Sequence, residues 1–335
     1  MNIFDFCQSV LIIGNGFDRN CGLKTSYQDV YEAYFNSTSK NSLIEKFKKD
    51  IKHDFKNWAD FELQMSEYAK EFDSEDDFIE CLDDFVSFMH IYLFNVQIAF
   101  INEWNSIKTH KSTIDSFIGS ISSLGQGITH NIDSIVRTNR ATEISNIGFI
   151  SLNYTETLDN LLEFSYDERM LHKVLHVHGL LGDDPILGMD REEQLDVSYD
   201  ISDRFRRHFI KPFFNKEYDV QRVIDAENLI NNANFVFVYG ASLDESDLSW
   251  RELLIRWLCS NENHHLFLYI HKNESVNTTS KPYVLDCERD EKARIINKWR
   301  LETEDIPFER LHIPCGIKLF NIETAITNDK LIKKK

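Results

Sequence analysis

Short apolar runs alternate with longer amphipathic stretches through the second half of the chain. Runs with few polar positions, which are typical of strands buried on both faces, occupy residues 147–152, 174–178, 235–240 and 266–270. Shorter strands are predicted at 186–188 and 316–320. Three- and four-residue periodicity predicts helices at 156–164, 202–214, 219–231, 248–258 and 286–299. This alternation predicts a parallel sheet with helices on both faces.

The first half of the chain is different, with one opening strand followed mostly by helical patterns. Helices are predicted at 26–35, 44–72, 76–104 and 112–140, the last broken near Gly125 and Gly127. The helix at 76–104 carries one apolar stripe: Phe78, Leu82, Phe85, Met89, Leu93, Val96 and Phe100. If the opening strand joins the later sheet, this block is a helical insertion after the first βα unit.

The predicted fold is therefore a Rossmann-like α/β domain, formed by residues 1–39 and 141–325, with a helical insertion at 40–140. Residues 326–335 are predicted to be a solvated basic tail. In an open α/β sheet, ligands bind outside the carboxyl ends of the strands, so polar residues at those ends are the candidate site.

The opening strand stops at Gly14-Asn15-Gly16, followed by Phe17-Asp18. Glycines permit a sharp turn and a close backbone approach, so the amides of Gly14 and Gly16 are candidates to approach a phosphate. The alternative is an ordinary tight turn, because Asp18 replaces the third glycine of the dinucleotide fingerprint. The chain has no P-loop motif.

Other strand ends add further candidates. Asn153 follows one predicted strand, where its amide can hold a water or a sugar hydroxyl, or cap the next helix. After another strand, Gly240 allows close approach of the backbone, Ser242 is a candidate contact for ribose or phosphate, and Asp247 can accept hydrogen bonds or cap a helix.

Two histidines fall in the segment Leu175-His-Val-His-Gly179, and strand alternation predicts that His176 and His178 share a face. His178, next to Gly179, is the candidate general base. A satisfied core histidine is one alternative. A metal pair is another, but its further ligands, His172 and Asp190, match no standard spacing, so no metal is expected.

Composition narrows the function. The chain has 335 residues, is 42% hydrophobic and carries a net charge of −18, which argues against an extended nucleic-acid surface. Neither a signal peptide nor an apolar run of membrane-spanning length is visible. The six cysteines form no C-x-x-C pair, so a cytoplasmic protein with free thiols is expected.

Five motifs follow one another along the chain: the glycine turn, Gly22-Leu-Lys-Thr25, Asn153-Tyr-Thr, His176-Val-His-Gly179, and Gly240-Ala-Ser-Leu with Asp247. Together, and in this order, they resemble the bacteriophage abortive-infection AbiH family. The resemblance covers residues 10 to about 260. More remotely, the order is similar to the sirtuin-like NAD-binding fold, although the four-cysteine zinc module of sirtuin deacylases is missing from the sequence.

The resemblance implies an enzyme of phage defence that hydrolyses NAD⁺, its substrate, with Asn153 and His178 at the nicotinamide–ribose bond. It also implies that Gly14, Asn15, Gly16, Asp18, Gly179, Gly240, Ser242 and Asp247 bind the dinucleotide. A phage-derived trigger protein and a homo-oligomer are further expectations. Three alternatives stay open: a nucleotide sensor without turnover, a metal-dependent nuclease or phosphoesterase, and an interaction protein whose aromatic helices form a partner surface.

Overall fold

A six-stranded, all-parallel sheet forms the centre of the protein. In this computed structural model the described residues are 8–54, 58, 60–107, 110–126, 128–165, 173–182, 185–218, 220–269, 281–301, 306–315 and 317–333. The strands are β1 (Ser9–Ile13), β2 (Ile147–Ser151), β3 (Val174–His176), β4 (Phe235–Tyr239), β5 (His265–Tyr269) and β6 (Leu311–His312). Their spatial order is β3-β2-β1-β4-β5-β6, which confirms the predicted Rossmann-like α/β fold.

Helices surround this sheet. They are α1 (Asn15–Asn20), α2 (Tyr27–Tyr34), α3 (Ser42–His53), α4 (Phe61–Tyr68), α5 (Glu75–Ser106), α6 (Lys111–Ser122), α7 (His130–Thr138), α8 (Thr157–Ser165), α9 (Asp203–Phe209), α10 (Lys211–Glu217), α11 (Gln221–Asn232), α12 (Leu248–Ser260), α13 (Lys281–Lys298) and α14 (Ile322–Lys333). The predicted helices at 44–72, 112–140 and 202–214 are each divided in two. Gly125, at φ 68°, lies in the turn after α6.

Alternate residues of each strand enter different cores, because successive side chains of a strand point to opposite faces. Leu11 and Ile13 of β1 pack with α6, α7, α8, α14 and the end of α5. Val10 and Ile12 pack with α11, α12 and α13 on the other face. The sheet is thus covered on both sides, as its continuous apolar strands require.

The helical insertion after the first βα unit contributes to two different cores. Its first part, α3, α4 and the beginning of α5, packs with α2 around an aromatic cluster that includes Tyr31, Phe61 and Phe85. Phe205 and Phe209 of α9 join the same cluster. Its second part, α6 and α7, covers the sheet itself. The region 40–140 is therefore partly a sheet layer and partly an aromatic subdomain beside the sheet.

Helix α5 buries most of its predicted stripe, including Phe78, Phe85 and Phe100, so these aromatics are core. Ile91 and Phe94 on another face are exposed. By length and composition alone, α5 could cross a membrane, a property it shares with core helices of soluble proteins.

Several predicted segments differ in the structure. Residues 186–188 form no strand, and the neighbouring Met189 makes only an isolated bridge to Ile210. Residues 317–320 form no strand either, while Gly316 lies outside the described residues. The sixth strand is instead Leu311–His312, which has only two residues and is therefore too short to show a hydrophobic pattern. The predicted basic tail is helical as far as Lys333.

Candidate functional site

The turn after β1 lies directly against the end of β4. The Gly14 N–H donates to the Tyr239 carbonyl at 3.0 Å, and the Gly16 N–H donates to the Gly240 carbonyl at 2.8 Å. A Cβ on Gly16 would lie 2.6 Å from the Gly240 Cα, and Gly240 has a φ of 70°. The glycines are thus required by backbone packing. We expected the Gly14 and Gly16 amides to approach a phosphate, but both N–H groups are used within the protein.

A cavity of about 330 Å³ opens beside this turn, where the strand order reverses between β1 and β4. This is where ligands enter sheets of this topology. Of the predicted site residues, the structure brings together Gly14, Asn15, Asp18, Asn153, His178, Gly240, Ser242 and Asp247 around the cavity. Gly16 and Gly179 are not among its lining residues. Gly179 has a φ of 85°, and its N–H donates to the His176 carbonyl in the turn that carries His178.

Asn153 is fixed between two strand ends. Its Nδ2 donates to the Gly14 carbonyl at 3.1 Å, and its backbone N–H donates to the Ser151 hydroxyl. The side chain is buried. The carboxamide is therefore held in one orientation at the cavity, and Asn153 does not serve only as a helix cap.

The two histidines, which were predicted to share a face, have different partners. His176 lies with Nε2 2.9 Å from the Asp159 carboxylate and Nδ1 3.2 Å from the Asn153 carbonyl. It is thus a satisfied core histidine that supports Asn153. His178 lines the cavity itself. The strand ends at His176, so the alternation that predicted a common face does not extend to His178.

His178 is buried and uncharged at neutral pH. Its Nε2 lies 3.4 Å from Asp247 Oδ1 but has no hydrogen-bond partner among the described residues. Burial, and then the nearby Lys211 ammonium, lower the pKa of His178 to about 4, although Asp247 opposes this. A neutral imidazole with an unpartnered Nε2 can accept a proton or a hydrogen bond.

Lys211, at the start of α10, is a residue that the sequence analysis missed. Its Nζ donates to the Ser246 carbonyl at 2.6 Å and lies 3.3 Å from Asp247 Oδ1. Burial alone would lower the pKa of this ammonium, but Asp247, Glu62 and Asp190 together raise it above its ordinary value. Burial acts to raise the pKa of Asp247, but this ammonium and His178 together hold the pKa of that carboxyl below its ordinary value.

Glu62, at the start of α4, was also missed. Its carboxylate accepts a hydrogen bond from the Tyr27 hydroxyl at 2.7 Å, and both residues line the cavity. Burial raises the pKa of Glu62 to about 7, with Lys211 opposing and Asp60 adding to the rise. The helical insertion thus places an ionisable group in the wall of the site.

Asp18 and Asn15 are held by neighbouring hydroxyls. The Thr155 hydroxyl donates to Asp18 Oδ2 at 2.5 Å, and burial raises the pKa of Asp18 to about 6. Asn15 Nδ2 donates to the Thr25 carbonyl at 3.0 Å, and the Thr25 hydroxyl donates back to Asn15. Both polar side chains are therefore preorganised at the cavity.

A metal pair formed by the two histidines is an alternative considered from the sequence, where no metal is expected. In the described part of the chain, no group of three or more His, Cys, Asp or Glu side chains could hold a metal ion. Asp190 instead accepts the Ser249 N–H at 2.6 Å. His172 lies outside the described residues.

Polar residues in the turns after strands could be found from the sequence, because strand ends are visible there. Glu62 and Lys211 lie on amphipathic helices, where a charged residue is normally solvated. The one available signal is position: Glu62 follows Asp60-Phe61 at a helix start, and Lys211 precedes Pro212 at another. Only the tertiary packing shows that both are buried.

Comparison with known proteins agrees with the motifs. No curated protein matches this chain. The sequence model of the family described as "Bacteriophage abortive infection AbiH" matches residues 10–296, which include the glycine turn, both histidines and the segment around Asp247. The chain therefore belongs to the bacteriophage abortive-infection AbiH family, which confirms the resemblance and indicates a role in abortive defence against phage.

Proposed function

We propose that the protein hydrolyses NAD⁺ at the nicotinamide–ribose bond, with Asn153 and His178 as its principal residues. One observation carries the proposal: Asn153 and His178 line one cavity at the carboxyl ends of β2 and β3, beside the strand-order reversal. This is the position at which dinucleotides bind in such sheets. The remote resemblance to sirtuin-like NAD-binding proteins that we expect from the order of the motifs favours the same chemistry.

The reaction needs little help with the leaving group. The bond between the ribose C1′ and the nicotinamide nitrogen breaks, its electron pair stays on nitrogen, and nicotinamide leaves uncharged. A water oxygen then bonds to C1′ and gives its proton to His178 Nε2, which later releases it to solvent. Asn153 positions the water or a ribose hydroxyl, because its carboxamide is held in one orientation.

The remaining cavity residues bind substrate in this proposal. Asp18 and Asn15, both fixed by hydroxyl partners, are placed to accept hydrogen bonds from ribose hydroxyls. Ser242, exposed at the rim, is a donor for a phosphate. Gly14 and Gly240 leave space beside the dinucleotide. Since unrestrained NAD⁺ hydrolysis would kill the host, we further propose that a phage-derived trigger controls activity.

The test is nicotinamide release from NAD⁺ by purified protein, with and without lysate from phage-infected cells. We compare the wild type with His178→Ala and with His53→Ala, whose imidazole is exposed at the end of α3. The wild type and the His53 variant are expected to release nicotinamide with infected lysate, and the His178 variant to release none while folding normally. Wild-type protein that consumes no NAD⁺ with infected lysate would refute the hydrolase assignment.

A second candidate function is a nucleotide sensor without turnover. It is favoured by one observation, which is that Tyr27 and Glu62 line the same cavity as the sheet residues, so an occupant contacts both parts of the protein. A sensor would show NAD⁺-dependent protection against thermal unfolding without nicotinamide release in any condition. Release of nicotinamide excludes it.

A further inference from the structure

The cavity is strongly acidic. Its described lining includes five carboxylates and no lysine or arginine: Asp18, Asp60, Glu62, Asp244 and Asp247. The same wall holds the buried Nε2 of His178, which lies 3.4 Å from Asp247 Oδ1 and makes no hydrogen bond among the described residues. An acidic lining disfavours phosphate groups and favours the positively charged nicotinamide riboside part of NAD⁺.

Four of the five carboxylates have evident structural partners. Asp244 pairs with Lys298, Asp247 with Lys211, and Asp18 accepts from Thr155. Asp60 caps α4 by accepting the Leu63 N–H at 3.1 Å. Glu62 has no ion-pair or backbone partner among the described residues, and its carboxylate accepts one hydrogen bond there, from the Tyr27 hydroxyl. Asp18 is likewise held by a hydroxyl, but of these two carboxylates only Glu62 comes from the helical insertion.

We propose that Glu62, carried by the helical insertion, is a catalytic carboxylate that stabilises the positively charged ribosyl group formed as nicotinamide leaves. The inference rests on the proposed NAD⁺ hydrolysis and adds a third residue to it. As the C1′–N bond breaks, positive charge moves from the nicotinamide ring to the ribose, and a buried, ionised carboxylate in the cavity wall stabilises that charge. Glu62 forms no bond and transfers no proton, since water loses its proton to His178.

The surroundings of Glu62 predict how the reaction depends on pH. The charged and titratable groups that face it are Lys211, Asp60, Asp247 and the hydroxyls of Tyr27, Tyr31 and Tyr154. Burial raises the pKa of Glu62 to about 7, whereas that of His178 is about 4. His178 is thus uncharged throughout pH 6–8, so we expect protonation of Glu62 to lower activity around pH 7, and protonation of Asp18, whose pKa is about 6, to act only at lower pH.

The experiment measures nicotinamide release, with infected lysate, between pH 5.5 and 8.5. Glu62→Gln keeps the size of the side chain, and Glu67→Gln makes the same chemical change at an exposed position of the same helix. The Glu62 variant is expected to lose at least about 100-fold in kcat with little change in KM, as removal of electrostatic stabilisation does. The Glu67 variant should match the wild type.

Tyr27→Phe provides a second variant that leaves the carboxylate in place. Its hydroxyl lowers the pKa of Glu62, so its loss should move the acid limb of the pH profile to higher pH. If Glu62→Gln retains activity and Tyr27→Phe leaves the limb unmoved, the role of Glu62 is overturned while NAD⁺ hydrolysis stands. If the wild type itself releases no nicotinamide, both proposals fall.

Discussion

Replacing Lys211 by methionine tests whether its ammonium holds the acidic site together. Methionine retains most of the apolar stem and removes the charge. In the wild type this ammonium is 3.3 Å from Asp247 Oδ1, and Glu62 and Asp190 also interact with it. The Lys211 residue is only 4% exposed, so water cannot take its place.

The expected cost follows from the burial of the pair. Removing one partner of a buried ion pair costs about 3–5 kcal/mol, because the other charge is left without compensation. The Asp247 side chain retains 17% exposure, which gives partial access to solvent. We therefore expect the free energy of unfolding to fall by about 3 kcal/mol at pH 8, the lower end of that range.

The loss of stability caused by Lys211→Met should become smaller as the pH falls. Glu62 has a folded pKa of about 7, above that of the unfolded chain, so its burial penalty is complete above pH 7 and is relieved as the pH falls. Without Lys211, the already raised pKa values of Glu62 and Asp190 rise further and the lowered pKa of Asp247 increases, so the variant takes up more protons than the wild type as the pH falls. The difference in unfolding free energy between the wild type and the variant then decreases as the pH falls, by up to about 1.4 kcal/mol per pH unit for each carboxyl that titrates.

The measurement is urea unfolding followed by circular dichroism at pH 5, 6.5 and 8. Lys216→Met, at an exposed position of the same helix, is the control and should change stability by less than about 0.5 kcal/mol. Two results would refute the idea that this ammonium neutralises buried carboxylates. One is a loss of unfolding free energy in Lys211→Met below about 1 kcal/mol at pH 8, and the other is a loss that is equal at pH 5 and pH 8.

Three further predictions concern single residues whose packing, hydrogen bonds or ionisation affect the stability of the fold. Gly16→Ala should lower stability by about 1–3 kcal/mol, measured as a fall in melting temperature, because its Cβ would meet Gly240 at 2.6 Å. Asp329→Ala should lower the free energy of unfolding in urea by about 1–3 kcal/mol, since Asp329 accepts hydrogen bonds from both the N–H and the hydroxyl of Thr113. This loss of stability should disappear at low pH, because these hydrogen bonds lower the pKa of Asp329. His178→Gln should flatten the fall in stability between about pH 6.5 and 4, since the folded pKa of His178, about 4, lies below its unfolded value; an unchanged slope would contradict that pKa.

The strands could be predicted because burial on both faces leaves few polar residues in them, and this signal is local. The opening strand and the four strands predicted at 147–152, 174–178, 235–240 and 266–270 correspond to β1–β5. The signal fails for β6, whose two residues pair with β5 through backbone contacts that composition does not encode. It also fails at 186–188, where apolar Leu187 is buried in the aromatic cluster without a strand partner.

The site was predictable to the extent that it lies at strand ends. Asn153, His178 and Asp247 follow strands, so the sheet topology brings them together. The glycine turn was located correctly, but its amides could not be assigned, because their use depends on the neighbouring strand. Glu62 and Lys211 were missed because their burial depends on how α4 and α10 pack beside the sheet.

The packing of the aromatic cluster also determines the electrostatics of the cavity. Glu62 follows Phe61 of that cluster on α4, and Lys211 follows Phe209 of the same cluster by two residues. Movement of the aromatic core therefore shifts the acid and its neutralising cation relative to Asp247. Since the pKa of Glu62 is set by burial against the effect of Lys211, such a shift changes its ionisation near pH 7. The helical insertion thus supplies a titratable carboxylate to the site, whereas the sheet supplies Asn153 and His178.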